Sequence, residues 1–485
     1  MKQLSGMDAS FLYLELPNSP MHVGGLAIYD PATAPGGELG FKQILANIKS
    51  RSHLVSSMTD VLVEVPLRLD HPYWKSGGAF DPEFHVRHLA LPRPGDWRQL
   101  CIMVSRIHAR PLDLSRPLWE MYVIEGLDAL ENYPKGCFAI LTKVHHASID
   151  GATGTEITSI IHDTSPEPSR AADAGTIVVD RQPSGLELLL RAQLNSVRQP
   201  FHFFNVVRHT LPSMAKAVSG LSKGSLRRVT DIPRTRFNTS VSPYRVFDVA
   251  SFQLDDIRRI KNSLELVTVN DVALTIVGGA LRKYLESKNE LPEESLVAMA
   301  PINVRTEDKK GTGGNQVSQM KVLLRSDIED PKARLLAVNE GSRAAKELTE
   351  AIGAKTMTDY TKFTPSSLTA TAARLASSMG IADRGTPIAN CTVTNVPGPQ
   401  IPLYFTGAKL LSNYGLGPAI DGGGLFHIVN SYCGEFSVSI SCCRVMMPDP
   451  AFYANCIRES HDELLTATVG RARKAKNKMK KSRSR

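Results

Sequence analysis

The run His145-His146-Ala147-Ser148-Ile149-Asp150-Gly151 combines two imidazoles, an acid four residues after the second, and a glycine turn. An imidazole near its ordinary pKa of about 6.5 is mostly neutral at pH 7 and can take a proton from a hydroxyl or an amine. General-base catalysis by such a ring is worth roughly 10²–10⁴ in rate. The preceding segment, Cys137–His145, is apolar and reads as a strand. Alternation along it puts Phe138, Ile140, Thr142, Val144 and His146 on one face and His145 on the other. The two imidazoles therefore do different jobs: His146, beside the turn, is the expected base, and His145 its packing or hydrogen-bonding support. Asp150 either orients the imidazole, as the carboxylate of a triad does, or braces the turn by pairing with an arginine; Gly151 beside it favours bracing. His145, His146 and Asp150 have no further metal ligand nearby in sequence, so no metal site is expected.

Elements on both sides must hold this run in place. Met21–Tyr29 reads as a strand, Phe41–Arg51 and Asp96–Arg110 as helices, the latter stopping before Pro111. Ala152–His162 continues the motif as a helix, with Ile157, Ile160 and Ile161 at helical spacing. Thr164–Ser184 is rich in Pro, Ser, Ala and acids and reads as a linker. Leu186–Lys223 follows as a basic amphipathic segment, suited either to an anionic membrane surface or to crossing between domains. In the second half, Asp271–Glu286 is a helix with Gly278-Gly279 marking close packing, and Asn270 stands at its start. Leu296–Pro301, Val317–Leu324, Cys391–Val396, Leu425–Ser431 and Phe436–Cys442 read as strands; Pro331–Leu348, Pro365–Met379 and Pro450–Thr466 read as helices. Strands alternating with helices in both halves indicate an α/β architecture. The expected division is 1–163, a linker and crossover at 164–244, a second domain at 245–470, and a tail at 471–485.

Composition narrows the class. At 485 residues the chain exceeds one ordinary core, so two domains are expected. The net charge of +9 equals the nine cations of the acid-free tail Arg471–Arg485, so the rest of the chain is formally neutral. Basicity is thus an appendage, and no nucleic-acid partner is expected; the tail suits anionic lipid or solvent. No segment approaches the roughly 18–20 apolar residues that cross a bilayer, and no secretory signal opens the chain. Seven cysteines, odd in number and without metal-ligand spacing, read as buried reduced thiols of a cytosolic protein.

The His-His-x-x-x-Asp-Gly run resembles the active-site motif of the bacterial wax ester synthase/diacylglycerol acyltransferase family. The resemblance extends to Met7-Asp8-Ala9-Ser10-Phe11-Leu12, Pro20-Met21-His22-Val23-Gly24-Gly25, Pro111-Leu112-Asp113 and Arg116-Pro117-Leu118-Trp119. In the second half it takes in Asn270-Asp271, Pro301-Ile302-Asn303-Val304-Arg305, Gly314-Asn315, Asn395-Val396-Pro397-Gly398-Pro399, Ser431-Tyr432-Cys433-Gly434 and Met447-Pro448-Asp449. These run in the family's order from Leu4 to about Asp449.

The resemblance implies two chloramphenicol-acetyltransferase-like domains, each with a mixed sheet, and a tunnel between them that passes the catalytic histidine. It implies transfer of a long-chain acyl group from acyl-CoA, a substrate rather than a resident cofactor, to a long-chain alcohol or to diacylglycerol. No other cofactor is expected. His146 would be the base, and Asn270 either an oxyanion donor or simply the cap of its helix. Asp271 would be structural, Leu118 and Trp119 would line the acceptor channel or pack in the core, and Arg305 would pair with Asp150 across the tunnel. Because the lipid substrates are nearly insoluble, the expected place of action is a peripheral one, on the inner membrane or on lipid inclusions of a bacterium. Two alternatives carry the same histidine motif: a condensation-type acyltransferase, and a non-catalytic protein that coats lipid droplets.

Overall fold

The structure is a computed structural model and describes residues 1–77, 81–149, 157–168, 179–195, 232–303, 317–352 and 374–470. In the first half the chain forms β1 (Lys2–Gln3), α1 (Gly6–Leu14), β2 (His22–Asp30), α2 (Phe41–Arg51), β3 (Val61–Val63), β4 (Tyr73–Lys75), α3 (Pro82–His85), β5 (Val86–Ala90), α4 (Trp97–His108), β6 (Trp119–Glu125) and β7 (Phe138–His145). The second half supplies β8 (Arg245–Gln253), α5 (Leu254–Asn262), α6 (Val269–Ser287), β9 (Val297–Asn303), β10 (Val317–Leu323) and α7 (Pro331–Ile352). It continues with α8 (Ile381–Arg384), β11 (Cys391–Pro397), β12 (Tyr404–Phe405), β13 (Ala408–Leu416), β14 (Leu425–Tyr432), β15 (Glu435–Cys443) and α9 (Pro450–Val469).

Local chemistry explains the helix limits. Asp96 accepts from Gln99 N, and Gln99 reaches back to Asp96 N, a capping box that starts α4. The same device starts α6, with Thr268 as cap and Asp271 as its reciprocal partner. Asn270 is therefore not the N-cap; it lies inside the first turn, two residues past Thr268. Gly278 follows from packing: a Cβ there would sit 2.2 Å from Leu324 O, so only glycine lets α6 approach that closely.

Two six-stranded sheets organise the molecule, in the orders β12-β13-β2-β7-β6-β5 and β10-β9-β11-β14-β15-β8. Both are mixed. The pairs β5–β6, β9–β11 and β11–β14 are parallel, and the other pairs within these sheets are antiparallel. The expectation of mixed sheets in an α/β fold is met. The sheets do not divide at the linker, however. β12 and β13, from the second half, complete the first sheet, with Leu416 opposite Gly24 and Lys409 opposite Asp30.

Parity along β7 sorts its side chains as the alternation demands. Phe138, Ile140 and Val144 join Ile44, Ile48 and Trp119 in a core under α2. Ala139 and Leu141 face the other way, into a core shared with Leu100, Val104 and Ile107 of α4 and with Phe247 and Val249 of β8. That second core joins the two sheets, helped by Trp97, whose indole N–H donates to Asp248 at 2.9 Å. A separate core beneath α6 holds residues such as Leu274, Leu281, Val429 and Tyr453, none of them exposed to solvent.

Of the basic segment, residues 186–195 are described, and they are helical. Leu188 and Ala192 bury against Val63, Val65 and Tyr73. Asp150, Gly151, Arg305 and the tail 471–485 lie outside the described residues.

Candidate active site

β7 ends on His145, and His146 opens a single 3-10 turn, His146–Ser148. Two backbone bonds fix this strand end: His145 N–H donates to Leu118 O and His146 N–H to Met21 O, both at 2.9 Å. Leu118 is thus tied directly to the histidine pair. Trp119 is 3 % exposed, donates its indole N–H to Met58 O at 3.0 Å and stacks on His85, so its ring serves the core.

The two imidazoles differ as strand parity requires. His145 is fully buried, and its Nδ1 accepts the Ala147 N–H at 3.1 Å. That contact puts the proton of the neutral ring on Nε2, which faces Glu15 Oε2 at 3.4 Å, within charge-pairing reach but poorly aligned for a hydrogen bond. Glu15 also accepts the Met21 N–H at 3.2 Å, so one carboxylate braces both strand ends. The His146 ring lies flat against Phe11, with centroids 3.9 Å apart and planes 12° from parallel. Burial, with a smaller push from His145, drives the His146 pKa down to about 4. Its Nδ1 is buried without a hydrogen-bond partner among the described residues.

The sequence reading places Phe11 in a family motif without a role at the site, and does not single out Glu15. They stand four residues apart at the end of α1, a spacing that puts both on one face of a helix and turns that face toward the histidines. That spacing was available in the sequence; its direction was not.

Behind the pair lies a buried polar layer. His22 stands opposite His145 in register, donates through Nε2 to the carbonyl of His108, and meets the His108 ring edge-on at 4.7 Å. Burial pushes His22 well below its usual range and His108 to about 3, and Lys143 adds to both. Lys143 is fully buried, pairs with Glu120 at 3.0 Å and donates to Arg110 O at 2.9 Å, so it ties β7 to the end of α4. Gly24 makes room for this layer: a Cβ there would meet Thr142 O at 2.8 Å and the His108 ring at 3.3 Å.

The second sheet reaches the site through Arg245, at the start of β8, which donates to the carbonyl of Asn18 and, at 3.3 Å, to Ala419 O. Arg245 thus ties the halves, and the expected Arg305–Asp150 pair lies outside the described residues. Two second-half motifs meet on the neighbouring parallel strands. Gly398 N–H donates to Ser431 O at 2.9 Å, and Gln400 accepts from Gly434 N at 3.0 Å. Asn270 is half-buried, whereas Asp271 is 2 % exposed and accepts from Thr268 and Asn339, a structural role.

A histidine pair at a strand end between two mixed sheets, with a strand pair exchanged between the halves, defines a chloramphenicol-acetyltransferase-like acyltransferase. The chain belongs to the wax ester synthase/diacylglycerol acyltransferase family: the family's catalytic domain matches residues 4–273 and its C-terminal domain matches residues 313–465. Among its relatives is a putative diacylglycerol O-acyltransferase of Mycobacterium tuberculosis, 33 % identical over 473 residues, covering 96 % of this chain and 90 % of the relative. A second from the same species is 32 % identical over 504 residues, covering 96 % and 97 %. The wax ester synthase/diacylglycerol acyltransferase of Marinobacter aquaeolei VT8 superposes with a TM-score of 0.66 at 26 % identity, covering 96 % of this chain and 100 % of that one. A trichothecene 15-O-acetyltransferase from Fusarium sporotrichioides shares the fold at a TM-score of 0.56 and 10 % identity, covering 96 % and 94 %. The protein is an acyltransferase.

Proposed function

We propose that the protein moves a long-chain fatty acyl group from acyl-CoA to a long-chain alcohol, giving a wax ester, or to diacylglycerol, giving triacylglycerol. The observation that carries the reading is His146 itself, placed at the end of β7 and stacked on Phe11, with a pKa lowered to about 4 so that the ring is neutral at physiological pH. With Nδ1 buried, Nε2 is the nitrogen that meets the acceptor hydroxyl. The hydroxyl oxygen attacks the thioester carbonyl as its proton passes to His146. The tetrahedral oxyanion then collapses, the carbon–sulfur bond breaks, and the imidazolium returns the proton to the leaving thiolate. The products are the ester and free CoA, and no covalent enzyme intermediate is needed; the bound pair of substrates supplies proximity. Asn270 serves as oxyanion donor in this scheme, Asp150 braces the turn, and Arg305 pairs with it.

The working site is a lipid surface. No helix among the described residues is long and apolar enough to cross a membrane. Leu186, Leu190 and Leu194 are 68 %, 58 % and 60 % exposed at four-residue spacing, an apolar ridge at the head of the basic segment. With the cationic tail it favours peripheral binding to the inner membrane or to lipid inclusions. Flotation with anionic liposomes, comparing the full chain with one ending at Gly470, tests the tail's part; equal flotation removes it.

Labelled palmitoyl-CoA offered hexadecanol and dioleoylglycerol separately tests the reaction. His146→Ala is expected to lower turnover about 10²–10⁴-fold. Wild-type turnover in that variant overturns the role of His146, and acylation of neither acceptor by the wild type overturns the substrate assignment.

A further inference from the structure

The guanidinium of Arg245 stands where three strand ends meet. β8 begins at Arg245, β13 ends at Leu416 shortly before Ala419, and the turn Leu16–Ser19 leads into β2. Nη1 donates to the carbonyls of Ser242 and Tyr244, on the approach to β8, and so fixes the fork against its own chain. Nη2 donates outward, to Asn18 O in that turn and to Ala419 O at 3.3 Å. All four acceptors are backbone carbonyls, and among the described residues no carboxylate pairs with this half-buried cation. Desolvation offsets much of what such bonds contribute to stability, so the use of the fork lies in its geometry: it is planar, rigid and always charged.

The turn it grips carries the brace of the histidine pair. Ser19 N–H closes that turn on Leu16 O at 2.9 Å. Before it, Glu15 accepts the Met21 N–H and faces His145 at 3.4 Å; after it, Met21 O accepts the His146 N–H at 2.9 Å. Burial first, then Lys143 and Arg245, lower the pKa of His108, so the cation also faces the polar layer behind the pair. We infer that Arg245 is a positioning residue for His146: from the second sheet it sets the turn between Glu15 and Met21, and through that turn the place of the imidazole. The inference rests on the proposed function, in which His146 is the base, and adds the residue of the other half on which its geometry depends.

Steady-state kinetics on the full chain test it, with hexadecanol and palmitoyl-CoA varied in turn. Misplacing a reacting group by about 1 Å can cost about 10²-fold, so Arg245→Met is expected to lower kcat by about that factor with both KM values within about twofold of the wild type. Arg245→Lys keeps the charge but not the fork, and is expected to lose about tenfold in kcat; it carries the test alone if Arg245→Met does not fold. Coupling is the readout that a merely structural role would not move. In a His146→Ala background neither substitution is expected to lower the residual turnover further. Losses that multiply in the double variant, a raised KM with kcat intact, or wild-type kcat in folded Arg245→Lys each overturn the inference. Wild-type turnover in His146→Ala alone is a different result, the failure of the proposed function itself.

Discussion

Phe11 gives the His146 ring an apolar cover on one face, and that cover bears on its chemistry. A charged imidazolium loses hydration under a stacked phenyl ring, so the neutral form is favoured, and burial as a whole brings the pKa to about 4. Phe11→Ala lets water reach the ring, and the pKa rises toward the ordinary value of about 6.5. If His146 is the base proposed above, it must be neutral to act, and the acid limb of the pH–rate profile is expected to move up with it. The variant should keep its activity near pH 8 better than at pH 5.5, whereas the wild type should differ little between them. A profile whose acid limb stays in place would assign the low pKa to the rest of the site. Glu15 stands at one remove, since it holds His145 and Met21 rather than the His146 ring.

At the scale of elements, legibility followed the range of the forces involved. The helix over Phe41–Arg51 forms over the expected residues, and Cys137–His145 shortens only to Phe138–His145, because periodicity and flanking residues act locally. The start of α6 rests on a local signal of the same kind. Thr268-x-x-Asp271 is a capping box in the sequence itself, so of the two roles expected for Asn270, oxyanion donor or cap, the cap belongs to Thr268. Thr268→Ala is expected to cost about 1 kcal/mol of stability, and urea unfolding would show it as a lower midpoint at unchanged slope. Gly398→Ala should be costlier to the fold around the second-half motifs, since a Cβ there would lie 2.4 Å from Ser431 O. The exchange of β12 and β13 into the first sheet was not legible. Pairing of Leu416 with Gly24 leaves no trace in the spacing of either segment, and neither does the approach of Phe11 to His146.

For the molecule as a whole, the histidines set a common response to acid. Burial, the largest cause in each case, lowers His22 and His85, takes His108 to about 3, and takes His146, His162 and His427 to about 4. Each of these rings is neutral in the fold and binds a proton more readily once unfolded. Between about pH 6.5 and about pH 4 the unfolded chain therefore holds more protons, and stability falls as pH falls through that window. Thermal melts at pH 7.5 and pH 5 are expected to show a clearly lower Tm at pH 5. Equal values would mean that the buried rings are already protonated in the fold.

The strand exchange also has a consequence for how the chain is made. β2 carries His22, next to β7, and its other neighbour, β13, begins only at Ala408 of a 485-residue chain. During synthesis the histidine motif emerges with the sheet around it still lacking that neighbour, and it stays so until most of the chain has left the ribosome. Through that interval the open edge of β2 is a place where a second nascent chain can pair, and a chaperone that shields extended apolar segments has its natural client there.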